Sequence, residues 1–292
     1  MNTPTKVGGF VAGLAAVFAL ALIVGNVVGP DVEPAAAHDT HSSDEAAAAS
    51  TDADIPGGIM ISQDGYTLAL KKPEAPAGSK IPITFTITGP DGKSVTAYDV
   101  EHEKKLHLIA VRRDFTGFQH VHPLLASDGT WSIAVDLTPG QWRLFADFRA
   151  TGADALTLGA DLAVPGAFEP AELSEETRTA EVDGYTVTLD GDLAAGADAK
   201  LTLAVEREGE PVTDLEPYLG AYGHLVALRS GDLAYLHVHP DGAPGDGKTQ
   251  PGPDVVFHTA VPSTGTYHLY LDFKHRGVVR TATFTVASHA PH

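Results

Sequence analysis

The chain contains no cysteine. That removes disulfides, thiolate nucleophiles, Cys-ligated zinc, iron–sulfur clusters and the Cys-ligated blue-copper centre. It says little about redox compartment, since many exported proteins also lack Cys. Methionine is confined to Met1 and Met60, which argues against a thioether-rich Cu(I) site. Positive charge is scarce: 19 Lys plus Arg stand against 38 Asp plus Glu, a net charge of −19. A phosphate backbone needs a basic surface, so the balance argues against nucleic acid as a partner. No Ser-His-Asp elbow, phosphate-cradling loop or paired glycosidase carboxylates can be picked out, which leaves an enzyme as the third-ranked reading. What the chain does have is histidine, 14 in 292 residues. Imidazole and carboxylate are therefore the metal chemistry still open to it.

One long hydrophobic run exists, the 23 uncharged residues 7–29, preceded by Lys6 and followed by Asp31 and Glu33. About 20 apolar residues span a bilayer as a helix. The positive-inside rule then leaves the short N-terminus in the cytoplasm and everything else outside. Residues 1–29 read as a transmembrane signal anchor or as a signal peptide cut near Ala35-Ala36-Ala37. The run exceeds the usual signal-peptide core of about 7–15 residues, which favours the anchor. Either way the remainder works outside the cytoplasm, on the cell membrane or secreted. Residues 30–56 carry Asp and Glu, a run from Ala46 to Ala49 and no Lys or Arg, and read as a disordered acidic linker.

The rest is duplicated. Asp64-Gly65-Tyr66-Thr67-Leu68 recurs as Asp183-Gly184-Tyr185-Thr186-Val187. His107-Leu108-Ile109-Ala110-Val111-Arg112 recurs as His224-Leu225-Val226-Ala227-Leu228-Arg229. His120-Val121-His122-Pro123 recurs as His237-Val238-His239-Pro240, and Asp147-Phe148 as Asp272-Phe273. A period of about 117 residues is too long for a solenoid and fits two tandem domains, 57–168 and 180–288, joined by a linker at 169–179. Short alternating runs broken by Asp91-Gly92, Asp128-Gly129 and Pro139-Gly140 predict strands near 65–71, 80–88, 106–112, 117–121, 131–136, 142–149 and 157–164 in the first copy. No long 3.6-residue period follows the N-terminal run. The fold class expected is all-β: two tandem antiparallel β-sandwiches of cupredoxin or immunoglobulin type after one N-terminal transmembrane helix.

Within each copy the histidines are spaced alike: His107-x12-His120-x-His122 with Asp147, and His224-x12-His237-x-His239 with Asp272. Side chains alternate across a strand, so each His-x-His pair shares a face, and a strand about 4.8 Å away brings the third imidazole beside it. Three imidazoles converging this way hold a divalent ion, with the Asp as a fourth ligand or as the anchor of an imidazole N–H. Against this, His107 shares its face with Ile109 and Val111, and His224 with Val226 and Leu228, so each alone reads as a core residue. His102 has no counterpart in the second copy, and His258, His268 and His275 belong to that copy alone, His258 near enough in sequence to join its site. Arg112 and Arg229 read as partners for carboxylates. The stretch from Pro240 to Pro253, much longer than its counterpart, is expected beside the second site.

The run from Gly223 to Arg229, with His237-Val238-His239-Pro240, Phe257-His258 and the segment from Tyr267 to Phe273, resembles a set of exported bacterial proteins. Their domains are cupredoxin-like or immunoglobulin-like and are linked with heavy-metal handling, copper above all. The first copy resembles them more loosely, with Lys105-Leu106 where Gly223 would lie. The resemblance implies metal handling and no catalytic role. The segment from Gly117 to His122 also resembles the histidine strand of copper–zinc superoxide dismutases, but the bridging-His loop, further zinc ligands and Cys pair of that family are not recognisable. The function expected is extracytoplasmic binding of copper or zinc for sequestration, delivery or sensing, with one three-His-and-Asp site per domain. The alternative is a metal-independent surface scaffold or protein-binding module.

Overall fold

The computed structural model describes residues 55–172, 175–236 and 238–290; the expected membrane helix, most of the acidic linker and His237 lie outside them. Residues 55–290 belong to one compact unit. Among the described residues the fold is all-β, built of antiparallel sheets, with no helix long and apolar enough to cross a membrane.

In the first half the strands are β1 (Ser62–Gln63), β2 (Tyr66–Leu70), β3 (Gly78–Thr88), β4 (Leu106–Arg112), β5 (Gln119–Val121), β6 (Leu124–Leu125), β7 (Thr130–Leu137), β8 (Gly140–Arg149) and β9 (Ala155–Val164). In the second they are β10 (Thr179–Val182), β11 (Tyr185–Asp190), β12 (Leu193–Ala194), β13 (Ala197–Arg207), β14 (Glu210–Pro211), β15 (Gly223–Arg229), β16 (Tyr235–Leu236), β17 (Val238–Pro240), β18 (Asp254–Val261), β19 (Gly265–His275) and β20 (Val278–His289). The first half orders them β1-β2-β3-β7-β6 and β5-β4-β8-β9. The second orders them β10-β11-β13-β18-β17, with β14 on β13, and β12-β20-β19-β15-β16. Only the short β12 runs parallel to its neighbour, β20.

Local chemistry sets these elements. In β3 the alternation Ile81, Ile83, Phe85, Ile87 turns one side chain in two toward the core. The hairpins into β2 and β11 turn on Asp64-Gly65 and Asp183-Gly184, all four at positive φ, as a two-residue turn matched to strand twist requires. In each half the two sheets pack face to face. Ile83, Phe85 and Trp131 meet Leu108, Leu144 and Leu158 in the first; Leu203, Val205 and Phe257 meet Leu225, Leu269 and Phe284 in the second.

Strand β4 is buried on both faces, and its counterpart β15 nearly so. That explains their near-continuous apolar sequence, which a half-exposed strand would not need. Leu106, Leu108 and Ala110 point into the first core, while Ile109 and Val111 point outward and meet Val226, Leu228 and Tyr270 of the second half. Phe145 and Leu233 complete this shared cluster, and the Phe118 ring stacks on Tyr270 with centroids 4.0 Å apart. Each large apolar side chain so buried contributes about 1.5–3 kcal/mol. The two halves are thus held face to face by their sister strands.

A strap of chain reinforces the junction. Gly57 pairs with Tyr235 of the second half, while Gly58 donates to the Thr157 carbonyl of β9. The buried Arg143 guanidinium donates to the carbonyls of Gly58, at 2.6 Å, and Ile59, at 2.7 Å.

Candidate metal centre

The outward face of β4 ends in His107, and the register places the other two histidines beside it. Leu108 pairs with Val121 and Ile109 with His120, which sets His122 opposite His107. All three rings therefore lie on the face turned to the second half, and Val121 packs the other way into the first core. Their centroids form a nearly equilateral triangle of 5.2, 5.0 and 5.0 Å. Each ring offers a nitrogen within 4.8 Å of the other two, a set able to hold a metal ion.

Hydrogen-bond partners fix which nitrogens are free. A carbonyl only accepts, so His107 Nε2, 3.1 Å from the Glu101 carbonyl, carries its proton. A carboxylate likewise only accepts, so His120 Nδ1, 2.9 Å from Asp272 Oδ2, carries its own. In neutral rings this leaves lone pairs on His107 Nδ1 and His120 Nε2, and those atoms lie 3.0 Å apart. Two lone pairs cannot face each other at that distance unless a proton or a cation lies between them. His122 Nε2 is buried with no partner at all. Buried nitrogens are almost always satisfied, so this one calls for a partner from outside the protein's own groups. Tetrahedral zinc, bound at about 2.0–2.1 Å, sets its nitrogens about 3.3 Å apart, so the 3.0 Å pair would open slightly as His122 joins it in the coordination.

Burial keeps His107, His122 and His224 neutral. His107 is pushed down to about 4 by burial and then by the neighbouring His120. His122 is pushed down to about 3 by burial, with His120 and His107 adding to it. His224 is held at about 3, again chiefly by burial. Above these values each ring keeps a lone pair to offer.

Asp272 performs one of the two roles expected of it, but for the other half. It lies opposite His224 in β15 and opposite Thr281 in β20. Its Oδ1 accepts from the Thr281 hydroxyl at 2.5 Å, and its Oδ2 holds His120 across the junction. A carboxylate on the far ring nitrogen fixes the tautomer and the aim of a ligand imidazole. Asp147 lies opposite His107, accepts from the Thr157 hydroxyl at 3.1 Å, and is outside the ligand group.

The three histidines expected of the first half converge, while the carboxylate that holds one of them comes from the second half. The apolar faces of β4 and β15 stack the halves, which carries Asp272 and His224 of the second copy to the histidines of the first. The His224 ring lies 6.3 Å from His107 and 6.1 Å from His120, and its Nε2 donates to the Leu219 carbonyl just as His107 does to Glu101. His239, exposed on β17 and paired in register with His258, lines the adjoining cavity, whereas His237 lies outside the described residues.

Other histidines fall elsewhere. His258 points toward Asp241, 3.9 Å away and near solvent, rather than joining the cluster. His268 stacks on Phe115, and His275 bonds to Tyr185 and Asp214. Arg112 and Arg229 form ion pairs with Asp114 and Asp232. The long loop after Pro240 runs beside Ala221 and Tyr222, and only its first residue reaches the cavity. Sequence reasoning missed His102, whose ring sits 6.0 Å from His107 and 5.1 Å from His224. Lacking a partner in the second copy, it gave no repeat signal. The cavity beside the cluster encloses about 220 Å³ between the halves.

Likeness to solved structures is slight. A DUF4426 family protein from Pseudomonas aeruginosa is 9% identical over 38% of this chain and 96% of its own, with a TM-score of 0.28. The Escherichia coli adhesin FdeC is 14% identical over 78% of this chain and 65% of its own, with a TM-score of 0.26. The Yersinia pseudotuberculosis adhesin InvE is 12% identical over 78% and 60%, with a TM-score of 0.22. Resemblances this weak say nothing of what the chain does. No curated protein matches the sequence. One family does, over residues 61–164 and 180–290. The chain belongs to DUF8832, a domain of unknown function.

Proposed function

We propose that the chain binds a divalent metal ion at the His107, His120 and His122 cluster, for sequestration, delivery or sensing outside the cytoplasm. The observation that carries this is the approach of His107 Nδ1 and His120 Nε2 to 3.0 Å, with the orphaned His122 Nε2 beside them. The ion is Cu(II) or Zn(II). Imidazole suits both, and copper gains from the intrinsic affinity order and from the resemblance to exported proteins linked with copper. The uncharged residues 7–29 after Lys6 support export or anchoring in a membrane, and the acidic chain raises the local cation concentration. The two-sheet halves are of the immunoglobulin or cupredoxin kind in this reading.

A second reading has its own support. The His120–Asp272 bond and the carbonyls of Glu101 and Leu219 already satisfy several ring nitrogens, which suits a polar lock that fixes a tandem scaffold without any ion.

Titration of the metal-stripped full chain with Zn(II) and Cu(II) separates the two. Metal binding predicts a tight equivalent that His120→Ala abolishes. A second equivalent, lost on His237→Ala, would restore one site per half. No uptake beyond that of a peptide covering residues 30–56 leaves the scaffold.

A further inference from the structure

We propose that the cavity beside the three imidazoles holds a small oxyanion, a carboxylate or a tetrahedral anion of similar size, as an exogenous ligand of the bound metal. This rests on the metal-binding reading and adds the class of molecule that completes its coordination.

Charge is the first argument. The chain is strongly acidic, yet the cavity wall is not: Lys104, Lys105 and Arg149 line it against Glu101 and Asp147. Glu101 is already engaged by Arg149, at 2.8 Å. Among the described residues neither lysine has a carboxylate within ion-pair distance, although the chain has two carboxylates for every Lys or Arg. Arg149 Nε is buried without a partner. A divalent ion on three neutral imidazoles would bring two more positive charges into this half-enclosed space. Asp272, the nearest buried carboxylate, is committed to His120 and Thr281. A cation in such surroundings is stable only with a negative companion.

Coordination is the second argument. Three protein nitrogens leave a fourth position open, the arrangement that admits water or an outside ligand. His107 and His120 belong both to the triad and to the cavity wall, so the open position faces that space. Its volume of about 220 Å³ gives ample room for a small oxyanion beside the imidazoles.

Duplication supplies a control. Lys104 and Lys105 align with Ala221 and Tyr222, so the cationic rim belongs to the first copy alone. It is not a requirement of the sandwich itself.

The test uses the full chain loaded with one equivalent of Co(II), whose visible spectrum reports its ligands. Acetate and sulfate are then titrated separately. A saturable spectral change with either supports the proposal, and the responding anion identifies carboxylate or tetrahedral chemistry. In the double variant Lys104→Ala/Lys105→Ala, Co(II) should bind as before or more tightly, while the anion binds about tenfold more weakly through lost Coulomb attraction. Lys104→Arg/Lys105→Arg should restore it. An unchanged spectrum at full Co(II) occupancy overturns the proposal, and so does an anion affinity indifferent to both lysines. Failure to retain Co(II) in the first step defeats the metal reading itself, and is seen before any anion is added.

Discussion

Lowering the pH from 7 to 5 should weaken the metal-free fold steeply, and His107 and His224 set the size of the effect. Their folded values, about 4 and about 3, lie below the 6.5 of an unfolded histidine. A depressed value means that the unfolded chain takes up protons the folded chain refuses. Stability is therefore whole above about pH 6.5 and is lost as the pH falls toward the folded values. At pH 5 the unfolded rings are almost fully protonated and the folded ones are not, so each histidine costs about 2 kcal/mol relative to pH 7, and the two together roughly 4. His122 and His268, depressed in the same direction, add to the loss. Domains are commonly stable by only about 5–15 kcal/mol, so the loss is large. Carboxylates hardly contribute, because they titrate mostly below this window. In urea, with a slope of roughly 3 kcal/mol per molar, the midpoint should fall by more than about 1 M. Fluorescence of Trp131 and Trp142, both buried in the first half, follows the transition. His224→Asn keeps a donor for the Leu219 carbonyl and should remove about half of the pH dependence. A midpoint that stays constant from pH 7 to pH 5 would refute the claim that burial keeps these rings neutral.

Three further outcomes are expected. Asp272→Asn should leave the sheets intact and weaken Zn(II) or Cu(II) binding by about 10–100-fold, the usual cost of losing the carboxylate that aims a ligand imidazole; calorimetry showing equal affinity would end that role. Gly159→Ala would drive its new methyl into the Gly58 carbonyl, so the strap should lift, with a loss of about 2 kcal/mol or more and new protease cleavage between residues 55 and 61. Phe145→Ala, in the shared apolar cluster, should cost about 3–5 kcal/mol and split one thermal transition into two; a single unshifted transition would contradict the packing described.

Much of the strand pattern was legible in advance. The strands expected at 106–112 and 142–149 are β4 (Leu106–Arg112) and β8 (Gly140–Arg149), because period-two alternation and turn residues act within a few positions. The convergence of His107, His120 and His122 followed from the same alternation plus strand spacing. What local rules could not supply was the partner of an outward face. Ile109 and Val111 read as core, which they are, but the surface they bury is the second half rather than a sheet of their own. Strand alternation and the repeat alone keep Asp272 with its own copy. His102 carries no periodic signal that would place it at the cluster, because it sits in a loop at positive φ.

The pairing of β4 with β15 through equivalent residues is the pattern of a two-fold symmetric dimer, in which one patch meets its own twin. Here both partners are written into a single polypeptide. A freestanding half would have to find its copy by diffusion, and every substitution would appear on both sides of the seam. Concatenation lifts both conditions. Stoichiometry no longer depends on concentration, and one side can acquire Lys104, Lys105 and His102 while the other keeps Ala221 and Tyr222. A pocket between two covalently joined, equivalent strands can therefore specialise in a single direction.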